Sequence, residues 1–448
     1  NGNPGNRRSF DRLHKLLEQQ SYRVSYWRVA SNEINYRRFF DINDLAALRM
    51  ENQDLFNVNH NLIFQFIRDG KIQGLRIDHI DGIFDPQDYL ERIQNRAAYL
   101  IFEGNGEFSD KRPVPGQASL NQPFYLLVEK ILARHEHLRE EWPVSGSTGY
   151  DFMNLVDGLF ADPGGEKQLT EIYHGFTGLG KSYEEVVLDA KYRIMTTSLA
   201  SELNVLANRF NRLAKQSRLT RDYSRIGFRS ALSDVVAHFP VYRTYVAKRG
   251  VDDADLRYLD WAVAGAKKDT TAADTSIYDF IHSVLSLKLF AYGSRGYRRQ
   301  DVLNLAMSFQ QFTGPVMAKS LEDTAFYRYL RFVARNEVGG DPSSISTSPQ
   351  AFHLENKGRF ERYPFYMLAT ATHDHKRGED SRARILVLSE IPELWEEYLS
   401  HFHDVAGYFK RETDEEIPSK NDEYLLYQTL VGTWPFDLSG PDYTGIEE

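Results

Sequence analysis

The sequence of 448 residues contains no cysteine. Disulfide bonds, thiolate metal sites and cysteine nucleophiles are therefore excluded together. A protein without disulfides needs no oxidising compartment, so we expect this one in the cytoplasm.

Long hydrophobic runs are also absent. No apolar stretch approaches the roughly 18 residues of a membrane span, so the sequence predicts no association with a membrane. The opening Asn1-Gly-Asn-Pro-Gly5 has neither the basic nor the apolar region of a signal peptide. Because the sequence starts without methionine and inside a turn-like segment, it indicates processing or a piece of a longer protein.

Positive charge is in deficit, since 54 lysine and arginine residues stand against 63 aspartate and glutamate residues and give a formal net charge of −9. This balance gives no reason to expect nucleic acid or an anionic membrane as a partner, and a small neutral partner fits better. The aromatic fraction of 13% is compatible with surfaces that stack on sugar rings. Aromatic side chains fill cores more often, however, so composition alone decides nothing. The sequence indicates no cofactor and leaves the oligomeric state open.

Helical and strand-like segments alternate near both ends of the chain, whereas the middle reads as almost wholly helical. A length of 448 residues admits either one large barrel with insertions or two to three domains. The patterns predict helices at 9–20, 55–67, 86–97, 276–289, 324–333, 379–390, 392–409 and 421–431, and strands at 74–78, 124–128, 149–152 and 366–372. We predict a barrel portion at 1–160, a helical insertion at 161–345 and a second barrel portion at 346–448.

Three carboxylates each end a strand-like run. Asp78 closes Gly74-Leu-Arg-Ile-Asp78, Glu129 follows Tyr125-Leu-Leu-Val128, and Asp374 follows Ala369-Thr-Ala-Thr-His373. A (β/α)₈ barrel carries its catalytic groups at the carboxyl ends of strands that are far apart in sequence. Two carboxylates with a third acid are the equipment for cleaving a sugar acetal.

Asp78 has the features of a nucleophile. Strand alternation sends Arg76 and Asp78 to the same side, where the guanidinium favours the ionised carboxylate and fixes its orientation. The alternative is a buried arginine–aspartate pair that does no chemistry. The flanking His79, Asp81 and Gly82 make the string more specific than an isolated pair.

Glu129 has the surroundings that a general acid needs. The preceding apolar run suits a buried parallel strand, and a carboxyl at the edge of such a run tends to have a raised pKa. The alternative for Glu129 and Lys130 is an exposed ion pair at a strand end.

Two further polar patches are candidates for ligand binding. His373, Asp374 and His375 raise the possibility of a metal, but adjacent residues in an extended chain point apart and no further ligand cluster is evident. An acid that binds sugar hydroxyls, with Lys376 near it, explains this patch better. The second patch is Lys319 with the pair at 322–323, which also reads as the acidic first turn of a helix that begins at residue 324.

Together these strings resemble the α-amylase superfamily of retaining glycosidases, with Asp78 in its nucleophile motif, Glu129 as its acid/base and His373-Asp374 as its stabilising pair. Within that superfamily, longer strings resemble the maltooligosyltrehalose synthases. These strings are the stretch from Trp27 to Leu45, Ser147-Thr-Gly-Tyr-Asp151, Gly314-Pro-Val-Met-Ala-Lys319, Glu322-Asp-Thr-Ala-Phe-Tyr327 and Thr372-His-Asp-His-Lys-Arg377. The resemblance implies an α/β fold, a partial (β/α)₈ barrel of the α-amylase type with a large all-helical insertion.

The resemblance further implies an intramolecular transglycosylation of maltooligosaccharides, in which the reducing-end α-1,4 bond becomes an α,α-1,1 bond. Asp78 would attack the anomeric carbon while Glu129 protonates the departing glucose, and Asp374 would stabilise the transition state. The retained glucose then attacks in place of water. The implied substrate-binding residues are Arg76, His79, His373, Lys376 and Lys319, with the two lysines holding the retained glucose, and no metal or cofactor is implied.

The sequence departs from the family in two respects. It lacks the Asp-x-x-x-Asn-His-type motif of the third strand, and the family continues into an eighth strand and a β-rich C-terminal domain. We therefore expect a fragment with the equivalents of strands four to seven, whose −1 subsite is incomplete and which is inactive by itself. An amylase-type hydrolase and a non-catalytic glucan-binding fragment remain the alternatives.

Overall fold

The computed structural model describes residues 2–103, 124–290, 296–408 and 417–435. The described chain is mostly helical, with a two-stranded antiparallel sheet and a three-stranded parallel sheet. The helices are Asp11–Glu18 (α1), Ala30–Glu33 (α2), Gln53–Arg68 (α3), Pro86–Glu103 (α4), Tyr150–Leu159 (α5), Glu166–Thr177 (α6), Tyr183–Thr196 (α7), Ala200–Ala214 (α8), Arg225–Ala237 (α9), Asp253–Asp269 (α10), Ser276–Leu285 (α11), Arg299–Leu321 (α12), Pro349–Arg362 (α13), Glu379–Leu386 (α14), Pro392–Gly407 (α15) and Lys420–Thr433 (α16). The strands are Arg38–Phe39 (β1), Ile42–Ala46 (β2), Gly74–Ile77 (β3), Tyr125–Val128 (β4) and Gly146–Ser147 (β5).

The parallel sheet has the strand order β3-β4-β5 and carries the first two predicted catalytic acids. Ile77 of β3 pairs with Val128 of β4, so the next residue of each strand, Asp78 and Glu129, emerges at the same edge. The carboxyl ends of parallel strands meet at one edge of a sheet. The predicted strands at 74–78 and 124–128 are therefore confirmed, and their register brings the two acids together.

Helices α3 and α4 cover the sheet. Their buried residues, among them Phe56, Phe64 and Ile93, form one apolar core with Leu126 of β4 and with Trp142. Helix α3 starts where the Asn52 side chain accepts the Leu55 N–H at 3.0 Å, which is a standard helix cap. Two residues after α3 ends, Gly70 has a φ of 67°, a conformation that glycine adopts without strain.

The middle of the chain is helical, as the sequence predicts. Helices α7 to α12 pack around a second core, to which Leu203, Phe210, Phe228, Leu259 and Phe309 contribute. Helix α8 presents an apolar stripe to its neighbours, whereas α12 is buried on nearly all sides between Val302 and Ala318.

The predicted helix at 324–333 is wrong. Only two 3₁₀ turns occur there, Ala325–Tyr327 and Val333–Arg335. Side chains from elsewhere take up the backbone groups that a helix would pair internally: the amide of Asn336 donates to the carbonyls of Phe326 and Tyr329 at 2.9 and 2.7 Å. A polar side chain that satisfies backbone groups competes directly with helix formation.

Two predicted strands are also wrong. At 149–152 the chain turns through Gly149 (φ 88°) into α5, and the strand, β5, lies just before it. In the described chain, residues 366–372 form no strand. Instead, Tyr366 bonds back to the Tyr363 carbonyl at 3.0 Å. A Cβ on Gly149 would lie 2.5 Å from the Ala369 nitrogen, so the segment 366–369 packs against β5 and the turn after it.

Near the C-terminus, the predicted helices at 379–390, 392–409 and 421–431 correspond to α14, α15 and α16, although residue 409 lies outside the described residues. Helix α14 ends at Leu386 and a 3₁₀ turn, Val387–Ser389, follows it. In the described residues we find no helix with the length and apolar character needed to cross a membrane.

Candidate active site

A cavity of about 410 Å³ opens at the carboxyl edge of the parallel sheet. Seven of the eight residues predicted from the sequence line it, and the eighth, Arg76, contacts Asp78. The residues that line the cavity are Phe39, Phe40, Asp78, His79, Asp81, Glu129, Lys130, Ile131, Tyr242, Ala318, Lys319, Glu322, Asp323, Val338, His373, Asp374 and Lys376. The three carboxylates therefore face one space, although 296 positions separate the first from the last in sequence (374 − 78).

Asp78 is held by Arg76, as strand alternation predicts. The Arg76 Nη1 atom lies 2.6 Å from Asp78 Oδ1, and 58% of the Asp78 side chain is exposed to the cavity and solvent. The pair is thus not buried, unlike the buried arginine–aspartate pair of the alternative interpretation. A charge-assisted hydrogen bond to one oxygen leaves the other oxygen of the carboxylate free to act.

Glu129 is partly buried beside Asp78. Its backbone N–H continues the sheet ladder to the Ile77 carbonyl at 2.8 Å, and its Oε2 accepts the His79 N–H at 2.7 Å. Burial raises the pKa of Glu129 to about 7 and outweighs the opposing hydrogen bond from His79, while the nearby Asp81 and Asp78 carboxylates add to the rise. A carboxyl with this pKa is protonated in half of the molecules at neutral pH, which suits a general acid that later becomes a base.

Asp374 reaches the same cavity from the loop that follows the segment 366–372. The Tyr150 hydroxyl donates to Asp374 Oδ2, and the Asp374 N–H donates to Thr372 Oγ1 at 3.2 Å. His373 lies largely exposed beside it, with Nε2 3.5 Å from Asp374 Oδ1. Among the described residues, no group of three or more metal-ligating side chains comes together. The hypothesis that His373, Asp374 and His375 bind a metal therefore has no structural support.

His79 lines the cavity in an unusual backbone conformation, with a φ of 46°. Its ring centroid lies 4.5 Å from that of Phe40 and 5.4 Å from that of Phe39. A Cβ on Gly82 would lie 2.4 Å from the His79 ring, so the ring position requires glycine there. The string from Gly74 to Gly82 therefore places an imidazole as well as a carboxylate.

The two predicted lysines differ in their contacts. Lys319 Nζ lies 3.2 Å from Asp41 Oδ1 and 2.9 Å from Asp323 Oδ2. Lys376 Nζ stands 4.7 Å from the centre of the Tyr327 ring, at a distance typical of a cation–π contact. The ammonium group of Lys319 is thus largely occupied by two carboxylates, whereas Lys376 retains hydrogen-bonding capacity.

Glu322 was misread from the sequence. It follows the last residue of α12 and does not begin a helix, and the Tyr242 hydroxyl donates to its Oε1. Burial raises the pKa of Glu322 to about 7, and the neighbouring Asp323 and Glu129 contribute to the rise. The cavity therefore contains a second carboxyl that titrates near neutral pH, and the only sequence signal for it was its position beside Lys319.

The alternative interpretation of Glu129 and Lys130, an exposed ion pair at a strand end, is wrong. Lys130 does not form an exposed pair with Glu129; it is buried, with Nζ 3.2 Å from Asp81 Oδ2 and 3.0 Å from Glu136 Oε1. Burial alone would lower the pKa of Lys130, but the two carboxylates outweigh it and the pKa is raised. This buried charged group lines the cavity together with Glu129.

Comparison with known proteins finds relatives along nearly the whole chain. A putative maltooligosyl trehalose synthase of Mycobacterium tuberculosis is 31% identical over 422 residues, which is 93% of this chain and 46% of the relative. The resemblance to maltooligosyltrehalose synthases is thereby confirmed. No protein-family model matches the chain.

Solved structures of maltooligosyltrehalose synthases resemble the fold as well. The enzyme from Arthrobacter ramosus has a TM-score of 0.75 at 32% identity, covering 94% of this chain and 47% of that one. A hypothetical maltooligosyl trehalose synthase from Sulfolobus tokodaii has a TM-score of 0.70 at 29% identity, covering 97% of this chain and 48% of that one. The chain therefore spans about half the length of the maltooligosyltrehalose synthases that it matches.

Proposed function

We propose that the protein converts maltooligosaccharides into maltooligosyltrehaloses, by turning the reducing-end α-1,4 bond into an α,α-1,1 bond. One observation carries the proposal: Asp78, Glu129 and Asp374 line a single cavity together with Lys319 and Lys376. Three acids supply the chemistry of a retaining glycosidase, and cationic hydrogen-bond donors supply a hold on the glucose that leaves. The names of the similar proteins support the same activity.

In the first step, the free oxygen of Asp78 attacks the anomeric carbon and forms a β-glycosyl ester. Glu129 gives its proton to the oxygen of the departing glucose, because its buried carboxyl still carries one near neutral pH. Asp374, oriented by Tyr150, accepts hydrogen bonds from sugar hydroxyls that strengthen as positive charge develops on the ring.

In the second step, the glucose that has left must stay in the cavity and turn over. Glu129, now ionised, takes the proton of the C1 hydroxyl of that glucose, and the hydroxyl oxygen attacks the glycosyl ester. Two inversions restore the α configuration. Since water competes for the same ester, the hold on glucose decides between rearrangement and hydrolysis, and Lys376 and Lys319 are the proposed contacts.

We further propose that the sheet β3-β4-β5 corresponds to consecutive strands of an α-amylase-type (β/α)₈ barrel. The parallel pairing and the acids at the carboxyl edge are typical of such a barrel. The helices between residues 161 and 345 would then be an insertion into it, with barrel portions at 1–160 and 346–448. Limited proteolysis that releases two or three separately folded domains would argue against this division.

Incubation of the full-length protein with maltopentaose tests the function. We expect the reducing ends to disappear without equivalent release of glucose, and proton NMR to show the anomeric signal of an α,α-1,1 bond. Glu129→Gln should lower the rate by roughly 10²–10⁴-fold, the usual loss on removing a general acid. Glu171→Gln, which changes an exposed carboxylate on α6, should leave the rate unchanged.

Two results would contradict the proposal. Release of glucose and maltose with no non-reducing product would identify an amylase-type hydrolase. Binding of maltopentaose without turnover would identify a glucan-binding protein.

The pH dependence of kcat/KM provides a separate prediction. Glu129 must be protonated for the first step, and its pKa is about 7, so kcat/KM should fall up to tenfold per pH unit above about pH 7. Because Glu322 titrates in the same range and interacts with Glu129, the apparent pKa belongs to the pair. An α-maltosyl fluoride needs no proton on its leaving group, so fluoride release should lack this alkaline limb. An identical limb for both substrates would mean that Glu129 is not the acid.

A further inference from the structure

A completely buried carboxylate lies beneath the loop that carries Asp374. Glu337 has a side chain with 0% exposure, and its Oε2 accepts the backbone N–H of Lys376 at 2.7 Å. The Arg377 Nη1 atom stands 3.7 Å from Oε1, an ion pair without a hydrogen bond. Burial raises the pKa of Glu337, while the Lys376 N–H and the charges of Arg377 and Arg382 act against the rise.

Other contacts hold the rest of this loop. Arg382 donates to the carbonyls of Thr370 and Arg377, which lie at its two ends. Within the loop, the Thr372 N–H donates to His375 Nδ1 at 2.6 Å, and Tyr150 orients Asp374. Among the described residues, the hydrogen bond that the Lys376 N–H donates to Glu337 is the contact that fixes the backbone of Lys376 itself.

The two lysines differ in what holds their ammonium groups. Lys319 is positioned by carboxylates on both sides. In the described parts of the chain, Lys376 forms no salt bridge, and its ammonium contacts the Tyr327 ring. Because no salt bridge fixes it, the Lys376 side chain is placed by its backbone, by the Tyr327 ring and by the longer-range attraction of the Glu322 and Glu337 carboxylates.

We propose that Glu337 is a positioning residue, which holds Lys376 so that its ammonium binds the departing glucose, and which thereby sets the share of glycosyl groups passed to glucose instead of water. The inference rests on the proposed function. A shift of about 1 Å in a positioning group costs up to roughly 10²-fold in rate, so a looser Lys376 would release glucose before the second step.

Glu337→Gln tests the inference, because glutamine keeps the shape of the side chain but replaces the charged acceptor of the Lys376 N–H with a neutral amide oxygen, which forms a weaker hydrogen bond. With full-length protein and maltopentaose, we expect the ratio of free glucose to non-reducing product to rise roughly 3- to 10-fold. Total turnover of the substrate should change less than that ratio. Glu423→Gln is the matched control, since Glu423 is a buried carboxylate on α16 that bonds to His403 and lies outside the cavity lining.

A double-mutant cycle separates positioning from a general loss of structure. Lys376→Met should raise the same ratio, and adding Glu337→Gln to it should raise it no further, because both changes act through one ammonium. The inference is overturned if Glu337→Gln or Lys376→Met leaves the ratio unchanged, or if their effects multiply.

A binding measurement keeps this test independent of the proposed function. In an Asp78→Asn background, calorimetry should show that Glu337→Gln weakens maltotriose binding about threefold or more, and that Glu423→Gln does not. Equal binding overturns the role of Glu337 even when rearrangement occurs. Absence of non-reducing product from the unmodified protein, with the binding difference intact, would refute the proposed reaction and leave Glu337 as a determinant of glucan binding.

Discussion

Replacement of Asp78 by asparagine is expected to lower kcat on maltopentaose by on the order of 10⁴–10⁶-fold, the range seen when a covalent nucleophile is removed. Asparagine has nearly the same shape but cannot form the glycosyl ester. The Asp78 side chain is 58% exposed, and its ion pair with Arg76 is solvent-accessible, so the free energy of unfolding should change by less than about 1 kcal/mol.

Asp88→Asn is the matched control for that experiment. Asp88 lies on α4, ten positions further along (88 − 78), and also forms an accessible ion pair, with Arg92 at 2.5 Å. It does not line the cavity. A loss of activity in both variants would indicate a structural effect, and full activity in Asp78→Asn would remove Asp78 from the mechanism.

Replacement of Lys191 by methionine is expected to stabilise the protein. Lys191 lies on α7 and is buried, and among the described residues its Nζ forms one hydrogen bond, which it donates to the Phe239 carbonyl at 2.8 Å. Burial lowers the pKa of Lys191 from 10.5 to about 7, so the folded protein must give up a proton that the unfolded chain retains. At pH 7 this lowers the free energy of unfolding by on the order of 4 kcal/mol. In the methionine variant the Phe239 carbonyl loses its hydrogen-bond donor, which offsets about 1–2 kcal/mol of the gain.

Because the pKa of Lys191 is lower in the folded than in the unfolded protein, its effect on stability depends on pH. The stability penalty of Lys191 is absent above the unfolded pKa of 10.5, grows as the pH falls, and is complete below the folded pKa of about 7. Urea unfolding should therefore show that Lys191→Met is more stable by about 2–3 kcal/mol at pH 7, with the gain reaching zero between about pH 9 and pH 10 and becoming a loss of about 1–2 kcal/mol above pH 10.5. Lys167→Met, which changes an exposed lysine on α6, should show no gain at either pH. A gain that is independent of pH would mean that apolar packing, not the buried charge, is responsible.

The sequence predicted the acids on the parallel strands well, because the signals are local. Alternation within Gly74–Ile77 and the apolar run Tyr125–Val128 identify strands, and the following residue of each strand then has a known position. Asp374 was predicted with a strand before it that does not form, yet it still reaches the cavity. The sequence string around Asp374 therefore identified a residue of the cavity, although the strand predicted at 366–372 was wrong.

The remaining site residues could not be predicted, since their roles depend on contacts between distant segments. Tyr150 bonds to Asp374 across 224 positions, and Tyr242 bonds to Glu322 across 80. Glu337 stands in a segment without helical or strand periodicity, and its burial results from packing under the loop at 370–377. No apolar strand precedes Glu337 as Tyr125–Val128 precedes Glu129, so no local sequence pattern indicates that its carboxyl is buried.

The helix predicted at 324–333 failed for a related reason. Its residues have adequate helical propensity, but the Asn336 amide takes two of the carbonyls that a helix would use. Tertiary hydrogen bonds of this kind override weak local preference. The same irregular segment leads directly to Glu337 and Val338, so its departure from helix is what brings the buried carboxylate under the loop of Lys376.

Trapping of the glycosyl-enzyme tests the central claim most directly. A 5-fluoro-α-maltosyl fluoride should glycosylate the nucleophile, with loss of fluoride, faster than the ester is resolved, because fluorine at C5 slows both steps while the good leaving group accelerates only the first. Peptide mass spectrometry of the full-length protein is expected to find the added glycosyl mass on the peptide containing Asp78, and no label in Asp78→Asn. A label on Glu129, on Asp374 or on a residue outside the cavity would contradict the assignment of Asp78 as nucleophile and, with it, the retaining mechanism proposed for this cavity.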